Sequence, residues 1–304
     1  MARLTAGPAE IRALSKQTNA AAIVRIASQS CLIIALGAFV WSTTTAHGVM
    51  AALPLMAGQG FLIAFLFMPI HETAHKTAFR TRWLNVAIGQ VCAVAILLPY
   101  EHYCLFHWDH HRHTQDPAKD PELVVAPRTD SLVNLLVSFS GLPQVAGRVA
   151  SLLRHAFTGE VVAPWVPEDK RRLVVIEARI YVAIYLALAT ASVAFATALL
   201  AWTWLVPLLI GQLFLRPYLY SEHTGCGYSR SALENTRTTY TNGLVRWFTW
   251  NMPFHVEHHA FPSVPFHALP RLNDLVAARI VHQGHGYRNV IPAAWRWLRL
   301  RQSQ

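Results

Sequence analysis

Three short stretches gather histidine at spacings suited to metal: His71-Glu72-Thr73-Ala74-His75, His107-Trp108-Asp109-His110-His111 and His255-Val256-Glu257-His258-His259. Residues three and four apart share one face of a helix, so each stretch aims two or three imidazoles at one point. With His223 this makes nine: His71, His75, His107, His110, His111, His223, His255, His258 and His259. One tetrahedral zinc takes at most about four protein ligands, so the set exceeds one ion and suits two with roughly four to six positions each. Imidazole suits iron, zinc, copper or nickel, and open positions at iron are what dioxygen activation requires. The chemistry expected is oxidation at a dinuclear iron site.

Other readings compete. His71-Glu72-Thr73-Ala74-His75 is literally HExxH, the zinc metalloprotease signature with Glu as general base. An intramembrane zinc protease, however, needs a single third ligand and leaves the other clustered histidines without a role. A metal transporter would hold its ligands near the membrane midplane, whereas these stretches fall at helix ends or outside spans. Glu72, Asp109 and Glu257 sit inside the clusters, where carboxylates commonly hold the outer imidazole nitrogen; each would otherwise lie on a solvated helix face. His102 and His113, close to the second cluster, are expected to back the ligands. His47, His155, His267, His282 and His285 read as ordinary surface or packing residues.

What must position these residues is a membrane protein. The chain has 304 residues, 53% hydrophobic and 14% charged, well below the roughly 25% charged residues of an average soluble domain. The formal charge of +10 would admit nucleic acid as a partner, but the charges are unevenly spread. No Asp, Glu, Lys or Arg occurs in 26–71 or 180–215, and each gap can hold two helices of about 20 residues or slightly fewer. The expected spans are 26–47 and 49–70, then 180–201 and 204–220, with Trp202 and Trp204 in an interfacial belt. The connectors near 47 and 202 lack Lys and Arg. Arg3, Arg12, Lys16 and Arg25 precede the first hairpin, while Arg80, Arg82, Lys170, Arg171, Arg172, Arg216 and Arg230 mark the middle and end. By the positive-inside rule both termini and the middle segment are cytoplasmic.

The apolar run 83–100 is long enough to cross. Crossing would separate Arg80 and Arg82 from Arg112, Lys119 and Arg128, so it is expected to lie in the interface or to re-enter. The stretch 131–153, interrupted at Gly141-Leu142-Pro143, reads as an interfacial helix pair. The domain plan is a cytoplasmic N-terminal segment (1–25), a transmembrane core (26–220) and a cytoplasmic cap (221–304) carrying the third cluster. Four scattered cysteines without a CxxC pair indicate neither a disulfide framework nor a zinc or iron–sulfur cluster. The fold class is all-α integral membrane: four transmembrane helices in two hairpins, interfacial helices and a helical cap.

The motifs HETAH, HWDHH and NMPFHVEHHAFPSVPFHAL, in this order between two hairpins, resemble the membrane-bound fatty acid desaturase family over roughly residues 55–275. The resemblance implies a non-haem diiron centre of two iron ions bound by the histidine boxes, with dioxygen as co-substrate. It implies a fatty acid desaturase, or alternatively a hydroxylase of the same superfamily acting on a lipid, carotenoid or small amino-acid- or sugar-derived molecule. His223 matches the family's additional histidine, and Asn251 belongs to the third motif and joins the residues expected behind the ligands. Some members place a water-bridging Asn one turn before that histidine, where this chain has Leu219. Phe65, Phe67, Phe106 and Phe214 can line an acyl tunnel or simply pack the bundle. The chain has no haem-binding HPGG, ferredoxin cysteine spacing or GxGxxG after a strand, so electrons come from an external donor, a ferredoxin or small haem protein with its reductase. The expected location is a bacterial inner membrane, with the site on the cytoplasmic side.

Overall fold

The structure, a computed structural model, describes residues 7–126, 129–290, 292–293 and 295–296. Arg3 and Arg128, used in the charge argument, lie outside them.

Helix α1 (Pro8–Leu14) precedes α2 (Ala20–His47), which turns at Gly48 into α3 (Val49–Ala64). Gly48 has φ 85°, a conformation that lets one residue end α2 and begin α3 without Cβ strain. A tightened turn at Phe65 and Leu66 joins α3 to α4 (Phe67–Ala74). Next come α5 (Arg82–Ala95) and α6 (Tyr100–His113), bent by 103° at the break between them. The short α7 (Pro121–Val124) is followed by α8 (Leu132–Ser140) and α9 (Leu142–Thr158), which meet at Gly141 with φ 70°. The second long hairpin is α10 (Glu168–Ala194) and, after a π-helical turn Ala201–Leu205, α11 (Val206–His223).

Beyond α11 lie α12 (Ala232–Asn235), β1 (Arg237–Tyr240), α13 (Gly243–Phe248), α14 (His255–Ala260), α15 (Leu269–Val276) and β2 (His282–His285). The two strands pair in parallel, Arg237 opposite His282 and Tyr240 opposite His285, the one sheet among the described residues. An all-helical cap is therefore too simple. The sequence His282-Gln-Gly-His285 has little strand propensity, and it becomes a strand through tertiary pairing with the β-branched Thr238 and Thr239.

Ala20–His47, Val49–Ala74 and Glu168–Ala194 are long and apolar enough to cross a membrane, and the bent pair α5–α6 raises the count to as many as four. Their outward side chains include Ile34, 72% exposed on α2, and Val193, 81% exposed on α10. Apolar surface of this kind is stable against lipid rather than water, and the protein is an integral membrane protein. The fourth expected span, 204–220, falls on the π-helical turn and α11, which are not among the helices long and apolar enough to cross; α11 lies along α3. A Cβ on Gly60 would stand 2.2 Å from the Pro207 carbonyl oxygen, and one on Gly211 2.1 Å from that of Gly60. Only glycine permits this approach, the small-residue packing that holds helices together where no hydrophobic effect does.

The tip of the second hairpin lies earlier than 202–204. The chain turns after Ala194, with Ala196 at φ 48° and the Thr197 N–H donating to the Ser192 carbonyl at 2.9 Å. The Thr197 hydroxyl then accepts from the Leu199 N–H. No Gly or Pro marks this turn, which is why hydropathy alone misplaces it. Trp202 and Trp204 are inside the π-helical turn, and Trp204 Nε1 donates to the Ala95 carbonyl at 2.7 Å, tying the end of α5 to that turn.

Candidate metal centre

Each histidine box sits on a helix whose position is fixed by buried polar contacts. For α4 the key is Gly89 on α5: a Cβ there would meet the Tyr100 ring at 2.3 Å. Its absence admits Tyr100, whose hydroxyl donates to the Thr73 carbonyl at 2.9 Å. Glu72, fully buried, accepts from Thr77 Oγ1 at 2.7 Å and from the Phe266 N–H at 3.0 Å. Its carboxylate thereby ties the first box to the loop after the third.

The first turn of α6 meets Glu177 of α10, whose carboxylate accepts from the Glu101 N–H at 2.7 Å and the His102 N–H at 3.2 Å. An acidic group there satisfies donors that a helix start leaves unpaired and suits the positive end of its dipole. For α14, Trp250 and Asn251 take φ 51° and 57°, turning the chain between α13 and the third box. Asn251 Nδ2 donates to the Phe266 carbonyl at 3.0 Å, and Glu257 accepts from Thr238 and Asn273. Burial raises the Glu257 carboxyl, against the lowering effect of those two hydrogen bonds.

The nine imidazoles converge in two groups. Ligand atoms of His71, His75, His107, His111 and His258 lie within 4.8 Å of one another, as do those of His110, His223 and His259. His255 joins the second group, its Nε2 being 3.2 Å from His223 Nε2. The HxxHH boxes are divided in complementary ways. The second gives His107 and His111 to the five-imidazole group and His110 to the other. The third gives His255 and His259 to the four-imidazole group and His258 to the first.

Within the five-imidazole group, Nε2 of His75 and His107 are 2.7 Å apart, those of His107 and His111 3.1 Å, and those of His111 and His258 3.1 Å. Two ligands on adjacent positions of one ion, each bonded at about 2.0–2.1 Å, stand roughly 3 Å apart. Both ring nitrogens of His71 are buried without a hydrogen-bond partner, as is His259 Nε2. Such orphaned polar atoms are costly unless something binds them. The residues therefore fit two metal ions.

Burial, then mutual repulsion, holds the imidazoles of His255, His258 and His259 well below their ordinary range. His223 is pushed to about 3, by burial first and then by His110. All four are neutral at ordinary pH, the form that binds metal.

The carboxylates behind the rings differ from those expected. Glu72 and Glu257 bond to Thr77, Phe266, Thr238 and Asn273 rather than to an imidazole. Asp109 faces outward and pairs with Arg112 at 2.8 Å, its nearer histidine being His113 at 3.9 Å. His113 is outside both groups. His102 lies against His155 and Trp165, with ring centroids 5.3 and 5.9 Å away.

The acceptor behind His110 is Asp120, with Oδ1 2.9 Å from Nδ1. Burial alone would raise the Asp120 carboxyl; its bonds to His110 and to the Gln115 and Glu122 N–H groups hold it below the usual carboxylate value. Asp120-Pro121 is legible as a helix start, but its second role depends on where the loop folds. The Asn235 carbonyl behind His223, Thr114 beside His259 and Glu222 beside His255 have no sequence signal either.

Phe65 and Phe67 are packed in the core, Phe106 is partly buried and Phe214 is 43% exposed. Tyr103 stacks on His107, ring centroids 5.4 Å apart, and screens the five-imidazole group from that side. Leu219 packs against the core.

A helical membrane protein whose buried imidazoles converge in two groups that could hold metal ions defines the class. The fatty acid desaturase family model matches residues 45–290, and the chain belongs to that family. It is 28% identical over 225 residues to a sphingolipid delta(4)-desaturase of Drosophila melanogaster, covering 70% of this chain and 62% of the relative. It is 24% identical over 244 residues to a fatty acid conjugase of Calendula officinalis, covering 69% and 64%. A shorter match of 65 residues at 37% identity, 20% of each chain, is to a beta-carotene 4-ketolase of Haematococcus lacustris. The chain thus spans less than two thirds of the length of each of these relatives.

Proposed function

We propose that the protein is a dioxygen-dependent, non-haem diiron oxidoreductase whose main activity is desaturation of a fatty acyl chain. The observation that carries this is the division of nine imidazoles into groups of five and four, enough for two ions and all on one site. Iron bound there supplies the reduction of dioxygen. The net reaction removes two hydrogens from adjacent carbons and, with two electrons and two protons from outside, yields an alkene and two waters.

The chain's own part is to hold the imidazoles facing inward, with Tyr103 packed on His107 and Trp108 on His75. Glu72 Oε1 is engaged by Thr77 and the Phe266 N–H, and the imidazoles around it number far more than the three ligands of a zinc protease, which speaks against that reading. The paired ion positions at helix ends likewise speak against a transport path. Similarity to a carotene ketolase supports a second reading, insertion of oxygen into a lipid or isoprenoid C–H bond.

Electrons come from a ferredoxin or small haem protein with its reductase, which the Arg-rich cap attracts. The termini and site are cytoplasmic, in a bacterial inner membrane. The test is expression in a host that supplies dioxygen and electrons, followed by untargeted mass spectrometry of lipids. New species lighter by two hydrogens support desaturation, and species heavier by one oxygen support the second reading. An unchanged lipid profile together with zinc as the bound metal overturns both.

A further inference from the structure

The groups behind the metal-facing imidazoles are unevenly shared. In the four-imidazole group, Asp120 Oδ1 is 2.9 Å from His110 Nδ1, and His223 Nδ1 donates to the Asn235 carbonyl at 3.1 Å. Thr114 Oγ1 is 3.3 Å from His259 Nδ1, whereas His255 Nδ1 has no hydrogen-bond partner, the Glu222 carboxylate standing 3.6 Å away as an ion-pair neighbour. In the five-imidazole group, Nδ1 of His71, His75 and His258 has no hydrogen-bond partner among the described residues.

An acceptor on Nδ1 fixes the tautomer, turns the Nε2 lone pair inward and makes the ring a stronger donor to metal. Asp120 does this with a full carboxylate. It is fully buried, and the Gln115 and Glu122 N–H groups hold it at 2.7 and 2.9 Å. The rings of the five-imidazole group are instead oriented by packing, as His107 is under Tyr103.

We propose that Asp120 is a positioning residue for one metal ion alone, the ion held by His110, His223, His255 and His259, and that the two ion positions are therefore inequivalent. The inference rests on the two-metal reading above. It divides the site by what stands behind the ligands as well as by the ligands themselves.

The test uses the full chain in detergent, stripped of metal and titrated anaerobically with Co(II), reading stoichiometry and the visible bands. Asp120→Asn keeps an acceptor oxygen and removes the charge. It is expected to weaken one of two ions about 10–100-fold and to leave the other unchanged, the scale on which such outer partners act. Glu222→Gln, outside the Asp120 loop, is expected to weaken the same ion. Asp109→Asn, on the outward face, is expected to leave both as in the parent. In a His258→Ala background, where the five-imidazole ion is lost, Asp120→Asn is expected to weaken the remaining one.

Equal weakening of both ions by Asp120→Asn, or of neither, overturns the proposal. If that variant does not fold, as judged by helicity and elution, loss of the other ion or of neither in Glu222→Gln overturns it equally. A parent chain that binds fewer than two Co(II) overturns the two-metal reading instead, so the two failures are distinguishable.

Discussion

His111 Nε2 and His258 Nε2 lie 3.1 Å apart although 147 residues separate them in the chain. Neither box alone fills its metal position: His258 leaves its own neighbours His255 and His259 to complete a group built on α4 and α6. His258→Ala is therefore expected to lower bound iron from two to about one per chain and to reduce oxidation at least a hundredfold. Metal analysis beside a product assay checks this, and unchanged iron content would remove His258 from the ligand set.

The contact of α3 with α11 has no room for a side chain at Gly60 or Gly211. Gly211→Leu is expected to force the helices apart and to destabilise the protein by about 1–3 kcal/mol, the usual scale of overpacking. The readout is the thermal midpoint in detergent, against Gly147→Leu, where a Cβ meets nothing within 4 Å. Equal midpoints for the two variants would sink the close-packing argument.

Acid should open the metal-free site. His75 and His223 are both held to about 3 from the ordinary 6.5, by burial first, and His255, His258 and His259 are depressed in the same sense. The unfolded chain therefore takes up protons first, and stability falls as pH drops from about 6.5 towards 3. Thermal midpoints of metal-free protein measured between pH 8 and pH 4 should decline steadily on the acid side. A midpoint that rises on acidification contradicts this sign.

Topology follows from the two hairpins. An accessibility tag at Ala196, in the tip of the second hairpin, is expected to report the side opposite to a tag at Asn242 in the cap. A third at Gly48, the tip of the first hairpin, should agree with Ala196. Labelling of all three from one side defeats the two-hairpin arrangement.

Much of this protein is legible in its residues taken in order. Charge-free runs point to three helices long and apolar enough to cross, in 26–47, 49–70 and 180–201, because a charge is costly in hydrocarbon whatever the partner helix; the run 204–220 is not matched by such a helix. The i, i+3 and i+4 spacing of the boxes shows which imidazoles share a helix face, and nine of them exceed one ion's demand.

Three-dimensional packing decides the rest. Which imidazole goes to which group depends on how α4, α6, α11 and α14 cross, so each HxxHH is split in a way its spacing does not reveal. The acceptor behind His110 is Asp120 rather than the adjacent Asp109, because helix geometry turns Asp109 outward to Arg112 while the loop folds Asp120 back. The pairing of β1 with β2 has the same origin, joining segments that meet only once the helices have packed. The early hairpin turn at Ala196 is held instead by local bonds of Thr197 and Leu199, with no Gly or Pro to announce it.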